Sequence, residues 1–191
     1  MLTLDDPLVL RQQDSRGVVT LTLNRPQAFN SLSEDMLAAL QKEFDAIADD
    51  STVRAVVIAA AGRAFCAGHD LKEMRAQPSL EYYQTLFGRC AKMMLAIQAL
   101  PVPVIARVHA VATAAGCQLV AACDLAVASD NARFAVSGVN LGLFCATPSV
   151  ALSRNMGRKQ AFEMLVTGAF IGAEEARQRG LVNRVVPLDT L

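Results

Sequence analysis

Two stretches dominated by small residues constrain this 191-residue chain more than any other feature. They are Ala61-Gly-Arg-Ala-Phe-Cys-Ala-Gly-His-Asp-Leu-Lys-Glu-Met74 and Ala112-Thr-Ala-Ala-Gly-Cys-Gln-Leu-Val-Ala-Ala-Cys-Asp-Leu-Ala-Val-Ala-Ser129. Each brings a loop without bulky side chains to the start of an apolar helix or a short turn. Bare backbone N–H groups can then face one bound carbonyl oxygen. Two such donors make an oxyanion hole, often the largest single catalytic term of an enzyme. Taken singly, each stretch has a plainer reading. The first is any glycine-containing connection, and the second is an alanine-rich buried helix.

The rest of the chain supplies a scaffold. Gly17 to Leu23 alternates as a strand and ends in the turn Asn24-Arg-Pro26. Ser31, with Glu34 three residues later, reads as a capping box. Met36, Leu40, Phe44 and Ile47 then recur on one helical face. Val53 to Ala59 reads as a buried strand. Between Ser79 and Gln98, the residues Leu80, Tyr83, Phe87, Cys90, Met94 and Ile97 keep helical spacing, with Met93 and Met94 in the core. Val102 to His109 is strand-like, with its prolines at the start, where no ladder hydrogen bond is needed. His109 is expected to be a satisfied core histidine. A helix is expected to begin near Ala114, with short strands at Leu125–Ser129 and Arg133–Val136. Further helices are expected from Pro148, near N1, to Met156 and from Arg158 to Thr167, where Gly168 is the C′ residue. A short helix from Ala173 to Arg179 is closed by Gly180, and a last strand runs from Leu181 to Val186. This alternation argues for one α/β domain over residues 1–191 with parallel pairing, without choosing a topology.

Charge and cysteine usage exclude several classes. Lys+Arg and Asp+Glu both number 18, and no basic stripe stands out. Nucleic acid and anionic membrane surfaces are therefore not expected partners. The five cysteines are odd in number, lack a CxxC pair and sit in apolar surroundings. They read as buried thiols in a reducing compartment. Only His69 and His109 are available to join them, so no metal site is expected. The N-terminal residues are acidic and lack a basic or apolar leader region. That favours the cytoplasm, with the mitochondrial matrix open if a transit peptide has been removed. No apolar run reaches the ~18 residues of a membrane span.

Phe65 to Met74 matches the pattern F-x-A-G-x-D-L-K-x-M, and Ala114-Ala-Gly-Cys-Gln118 stands where relatives carry G-G-x-C-E. Together they resemble the enoyl-CoA hydratase/isomerase (crotonase) superfamily, from about Val18 to Pro187. The resemblance implies an α/β spiral of ββα units acting on an acyl-CoA thioester, a small-molecule substrate of fatty acid metabolism. No cofactor is implied beyond the coenzyme A of that substrate. It implies oxyanion donors at His69 and Ala115, where alanine for glycine keeps the N–H but adds a methyl near the thioester. It further implies a coenzyme-facing segment of Cys66, Ala67, Gly68, Asp70, Leu71 and Lys72, with Asp70 and Lys72 orienting the turn. Arg25 and Ala28 match an early coenzyme-binding turn, Arg25 meeting phosphate and Ala28 lending its backbone. A plain surface turn is the competing reading there.

Two departures separate this chain from the hydratases of that superfamily. Gln118 and Gly138 stand where they carry two glutamates. Gln118 can hydrogen-bond water but cannot take its proton, and Gly138 has no side chain. Hydratase turnover is therefore expected to be weak or altered. The alternatives are a crotonase-fold decarboxylase or thioester hydrolase, and a non-catalytic acyl-CoA-binding or partner protein. The methylmalonyl-CoA decarboxylase branch shares Gly-His-Asp and Asn-Leu-Gly, although it has a tyrosine where this chain places Cys145. His69 also has a plainer reading, as a loop histidine serving only through its N–H. Relatives continue with further helices after the position of Leu191, so a truncated C-terminal helical region is expected. A homo-oligomer, trimer or hexamer, is expected to bury Leu152, Phe162 and Leu165.

Overall fold

The computed structural model describes residues 6–191; residues 1–5, which carry part of the argument about a leader, lie outside the described residues. The chain winds as a spiral in which successive coils add one strand to each of two sheets. β3 (Ala55–Ala60), β5 (Val104–Val108) and β7 (Leu125–Ser129) enter the larger sheet. Each is followed within a few residues by a short strand of the smaller one: β4 (Ala64–Cys66), β6 (Val111–Thr113) and β8 (Arg133–Ala135). With β1 (Val9–Gln13), β2 (Val18–Leu23) and β10 (Arg184–Val186), the larger sheet runs β1-β2-β3-β5-β7-β10. The smaller sheet ends on β9 (Ile171–Gly172), in the order β4-β6-β8-β9. Among the described residues, pairing along the spiral is parallel, and only β1·β2 and β8·β9 are antiparallel.

The alternation of β2 explains its place. Val19, Leu21 and Leu23 are fully buried, and Val19 and Leu21 pair in register with Val56 and Ile58 of β3. α1 (Glu34–Ala48) covers this sheet with Met36, Leu37, Leu40, Phe44 and Ile47, the face its spacing predicts. Its cap is Ser33 rather than Ser31: Ser33 Oγ accepts from Met36 N at 3.2 Å. Ser31 is held outside the helix by its own bond to Asp70, at 3.3 Å.

α2 (Leu71–Ala76) is a helix that hydrophobic spacing alone did not predict. Asp70 starts it, accepting from the amides of Lys72 and Glu73. α3 (Leu80–Ala99) and the short α4 (Ala115–Ala122) follow as expected. α5 runs Ala146–Asn155, so Pro148 is its third residue and not its first. The missing N–H there is still one of the donors a helix start leaves unpaired. After α6 (Arg158–Thr167) and α7 (Ala173–Gln178), the amides of Leu181 and Val182 turn back to Ala176 O. The last strand therefore begins at Arg184, three residues later than the pattern suggests. Leu152 and Leu165, expected to lie partly uncovered, are buried by packing among α4, α5 and α6. Phe162 is 60% exposed, as expected.

Candidate active site

The two small-residue loops meet. Gly68 adopts φ +91°, a left-handed conformation that glycine reaches without strain. A Cβ placed on it would lie 2.9 Å from Ala114 Cβ and 3.2 Å from Ala115 N. Gly116, one residue into α4, is pressed on β4: a Cβ there would sit 2.2 Å from Cys66 O. Glycine at both positions lets the β4–α2 loop and the start of α4 touch backbone to backbone.

The amides at this junction have different fates. Leu32 N donates to Gly68 O at 2.8 Å and Asp70 N to Leu32 O at 3.4 Å, a bridge that leaves the intervening His69 amide out. Ala115 is the first residue of α4, and its N–H is an orphan donor of a helix start. Ala114, just before it, is held at φ 51°, ψ −122°, a region a residue with a Cβ rarely enters. Its N–H is tied to Ala135 O and its carbonyl to Gln118 N.

A clasp of polar side chains holds the first loop. Asn30 is fully buried, and its amide group donates to Ala61 O and Ala64 O at 2.8 and 2.9 Å. Its carbonyl oxygen accepts from Arg25 N. Arg25 Nη1 bonds Asp70 at 2.7 Å and Ser31 at 3.2 Å. Burial alone would raise the Asp70 carboxyl. The Arg25 guanidinium and the amides of Lys72 and Glu73 outweigh it and hold the group below its ordinary value.

A cavity of about 490 Å³ opens at this junction. Ala67, His69, Ala114 and Ala115 form one side, and α2 and α3 contribute Leu71, Met74, Arg75, Tyr83 and Phe87. The opposite wall comes from residues 137–148, including Gly138, Leu141, Phe144 and Cys145. Among the described residues no Asp or Glu lines it, and its titratable side chains are His69, Arg75, Tyr83 and Cys145. Tyr83 donates its hydroxyl to Met74 O at 3.0 Å. Burial raises the Cys145 thiol against a smaller opposing pull from the Gly138 backbone. The His69 ring meets Phe87 edge-on at 5.4 Å. Burial lowers its pKa, which the Leu32 carbonyl only partly opposes, so the imidazole is neutral at pH 7. A second, open groove of about 390 Å³ is lined by Glu34, Asp35, Glu73 and Arg89. It is a surface of charged groups tied to one another, with Arg89 bonded to Glu34.

Several expected site residues lie elsewhere. Cys66 does not reach the cavity; its thiol is sealed behind the loop and burial pushes it up to about 12. Gly68 acts through its contact with the second loop rather than as cavity lining. Arg25 is engaged with Asp70 and Ser31, a tie that competes with any phosphate. Ala28 uses its N–H on Arg25 O and its carbonyl on Ser31 N, inside its own turn. Lys72 is exposed and serves the α2 cap through its amide. Gln118 is buried in α4 outside the cavity lining, with Oε1 lacking a partner. His109 is half-buried and satisfied by Gly62 O at 2.7 Å. All five cysteines are buried and unpaired. Among the described residues no cluster of His, Cys, Asp and Glu could hold a metal ion, and no helix is long and apolar enough to cross a membrane.

Gly138 is the sharpest surprise. A Cβ there would lie 2.4 Å from Leu143 O and 2.7 Å from Cys145 Sγ. Position 138 therefore lacks an acid and also lacks the room for one. The residues around Gly138 in sequence give no sign of this, because the obstruction comes from Leu143 and Cys145 folding back.

The structure thus defines a class of fold, a two-sheet ββα spiral with glycine-tight loops at one cavity. The family model described as Enoyl-CoA hydratase/isomerase matches residues 13–191, and the chain belongs to that family. It is 52% identical over 185 residues to the enoyl-CoA hydratase domain-containing protein 3, mitochondrial, of Xenopus laevis, covering 97% of this chain and 63% of that protein. A crystal structure of an enoyl-CoA hydratase from Mycobacterium smegmatis is 71% identical, with TM-score 0.97, over 97% of this chain and 72% of that one. The crystal structure of human enoyl Coenzyme A hydratase domain-containing protein 3 is 46% identical, with TM-score 0.91, over 96% and 73% of the two chains. The chain spans about three fifths of the length of the curated domain-containing-protein-3 relatives it matches. The fold is the crotonase α/β spiral.

Proposed function

We propose that this chain binds acyl-CoA thioesters and stabilises a thioester enolate between the amides of His69 and Ala115, with hydratase chemistry weak or altered. One observation carries the reading: the Gly68–Ala115 contact sets two amides without backbone partners beside a cavity that no carboxylate lines. The thioester oxygen would accept from both amides. Each donor strengthens as negative charge develops there, which lowers the barrier to enolate formation. Adding water across a conjugated thioester needs in addition a base for water and an acid for Cα. A positioned acid or base commonly contributes ~10²–10⁴-fold, and neither Gln118 nor Gly138 supplies one.

Decarboxylation of a malonyl-type thioester is the second reading, favoured by the same acid-free, largely apolar lining. Loss of CO2 leaves an enolate, so it needs the two donors but no strong base. Enoyl-, malonyl- and saturated acyl-CoAs, read for heat of binding and for turnover, separate these. Binding of all three with slow hydration supports the main reading, and rapid loss of CO2 from malonyl-CoA supports the second. Binding without turnover of any would leave a non-catalytic acyl-CoA-binding protein. The reading needs no cofactor beyond the coenzyme A of the substrate. The exposed apolar side chains Leu141, Phe144, Val150 and Phe162 support a homo-oligomer of the trimeric kind the family resemblance implies. Sedimentation analysis checks it, and a monodisperse monomer would refute it. The unpaired thiols support a reducing compartment, the cytoplasm or, by likeness to relatives named as mitochondrial, the matrix.

A further inference from the structure

We propose that the imidazole of His69 is the acid–base group of this cavity, its Nε2 exchanging a proton with Cα of the bound acyl thioester. This rests on the thioester-binding reading and adds to it a side chain that reacts.

The cavity offers few candidates. Tyr83 from α3 has its hydroxyl committed to Met74 O, and Arg75 from α2 carries a guanidinium, which donates hydrogen bonds and accepts none. Cys145 at the start of α5 is a thiol that burial keeps protonated. Asp70, next in the chain, is turned to Arg25, Ser31 and the start of α2. Glu34, beyond the Leu32 bridge, is paired with Arg89. His69 alone combines a place on the cavity with a neutral, exchangeable ring. Of its two nitrogens, Nδ1 is sealed from solvent without a hydrogen-bond partner, so Nε2 is the atom the cavity can reach. The proposed step uses the tautomer with the proton on Nδ1. That leaves the Nε2 lone pair toward the substrate, with Phe87 fixing the ring from its edge.

The amide of the same residue is one of the two donors proposed for the thioester oxygen. The substrate Cα is one bond from the carbonyl carbon, so a substrate held on that amide places its Cα near the ring. In the step, the Nε2 lone pair takes a Cα proton and the C–H electron pair becomes the C=C of the enolate. The carbonyl π pair moves onto oxygen, between the His69 and Ala115 amides. The reverse step returns a proton from imidazolium to Cα. No oxidant, metal or leaving group enters.

Butyryl-CoA tests this, because it has neither a double bond to hydrate nor a carboxylate to lose. The unmodified chain is incubated with it in D2O, and deuterium at Cα is read by mass spectrometry, with binding read by calorimetry. Exchange is expected, and H69Q, which keeps the main-chain N–H, should slow it by roughly 10²-fold or more. Undiminished exchange by folded H69Q would overturn the proposal. Independently of any variant, the exchange rate of the unmodified chain should rise with pH and level off, with a midpoint below the ordinary histidine value of about 6.5. A rate still climbing at pH 9 would assign the base to hydroxide or the Cys145 thiolate and overturn it as well. If butyryl-CoA binds and no deuterium enters, this inference falls while the thioester-binding reading stands. If butyryl-CoA does not bind, both fall.

Discussion

On one side of the cavity, Ala67 to His69 and Ala114 to Gly116 meet backbone to backbone, held by the Asn30 and Arg25–Asp70 clasp. On the other, residues 137–148 present Gly138, apolar side chains and the Cys145 thiol. The first wall has glycine where a Cβ would collide, an amide without a backbone partner on each loop and a cap that fixes the turn, features that support the proposed binding of a carbonyl oxygen. The second wall is closed where a hydratase acid would project, since Leu143 O and Cys145 Sγ occupy the space of a 138 side chain. On the proposed reading, a variant on either wall should therefore affect thioester binding and hydration unequally.

The comparison can be broken first at its tightest point. Gly116→Ala puts a methyl 2.2 Å from Cys66 O, against backbone that cannot swing aside. It should destabilise the fold by about 3 kcal/mol or more, at the upper end of overpacking costs, measured as a loss of denaturant midpoint. Ala115→Pro comes next. Proline is accepted at a helix N1 position, and it deletes one proposed donor. Any turnover or exchange through an enolate should fall about 10²–10³-fold, with circular dichroism little changed.

On the opposite wall, Gly138→Glu should fail to restore hydration and should cost roughly 1–3 kcal/mol of stability, because residues 143–145 must move. A clear gain in crotonyl-CoA hydration would show that this wall yields. Ala114→Gly should stabilise by about 1 kcal/mol in thermal or chemical unfolding, by releasing the strain of φ 51°. The smallest effect is that of pH. The Asp70 carboxyl is depressed in the folded state, so its contribution is present above its unfolded value of about 3.9 and is lost as pH falls through the folded value. Asp70→Asn should flatten that acid limb of the stability profile.

Much of the donor wall could be read from the chain because its signals are local. Small residues at Ala67–Gly68 and Ala114–Gly116 have few other uses, and the alternation of β2 and the face of α1 specify burial directly. Elsewhere the decisive contacts are remote. Ser31 and Ser33 both precede Glu34, and only the bond from Ser31 to Asp70 decides which one caps α1. Arg25 looks free in sequence until Asp70 folds against it. Tyr83 and Phe87, part of the cavity wall, share the spacing of an ordinary core face. The closure at Gly138 depends on a chain reversal through Leu143 and Cys145 that no periodicity encodes. The six-residue α2 is too short for periodicity and is marked only by its Asp70 cap.

The rate at which the unmodified chain, saturated with crotonyl-CoA, consumes the conjugated thioester is the most direct test of whether hydration is impaired. The expected result is a bound substrate whose double bond persists, hydrated at a rate about 10²–10⁴-fold below that of a two-glutamate hydratase run alongside. Hydration on a par with that enzyme would contradict it, by showing that this chain supplies both a base for water and an acid for Cα.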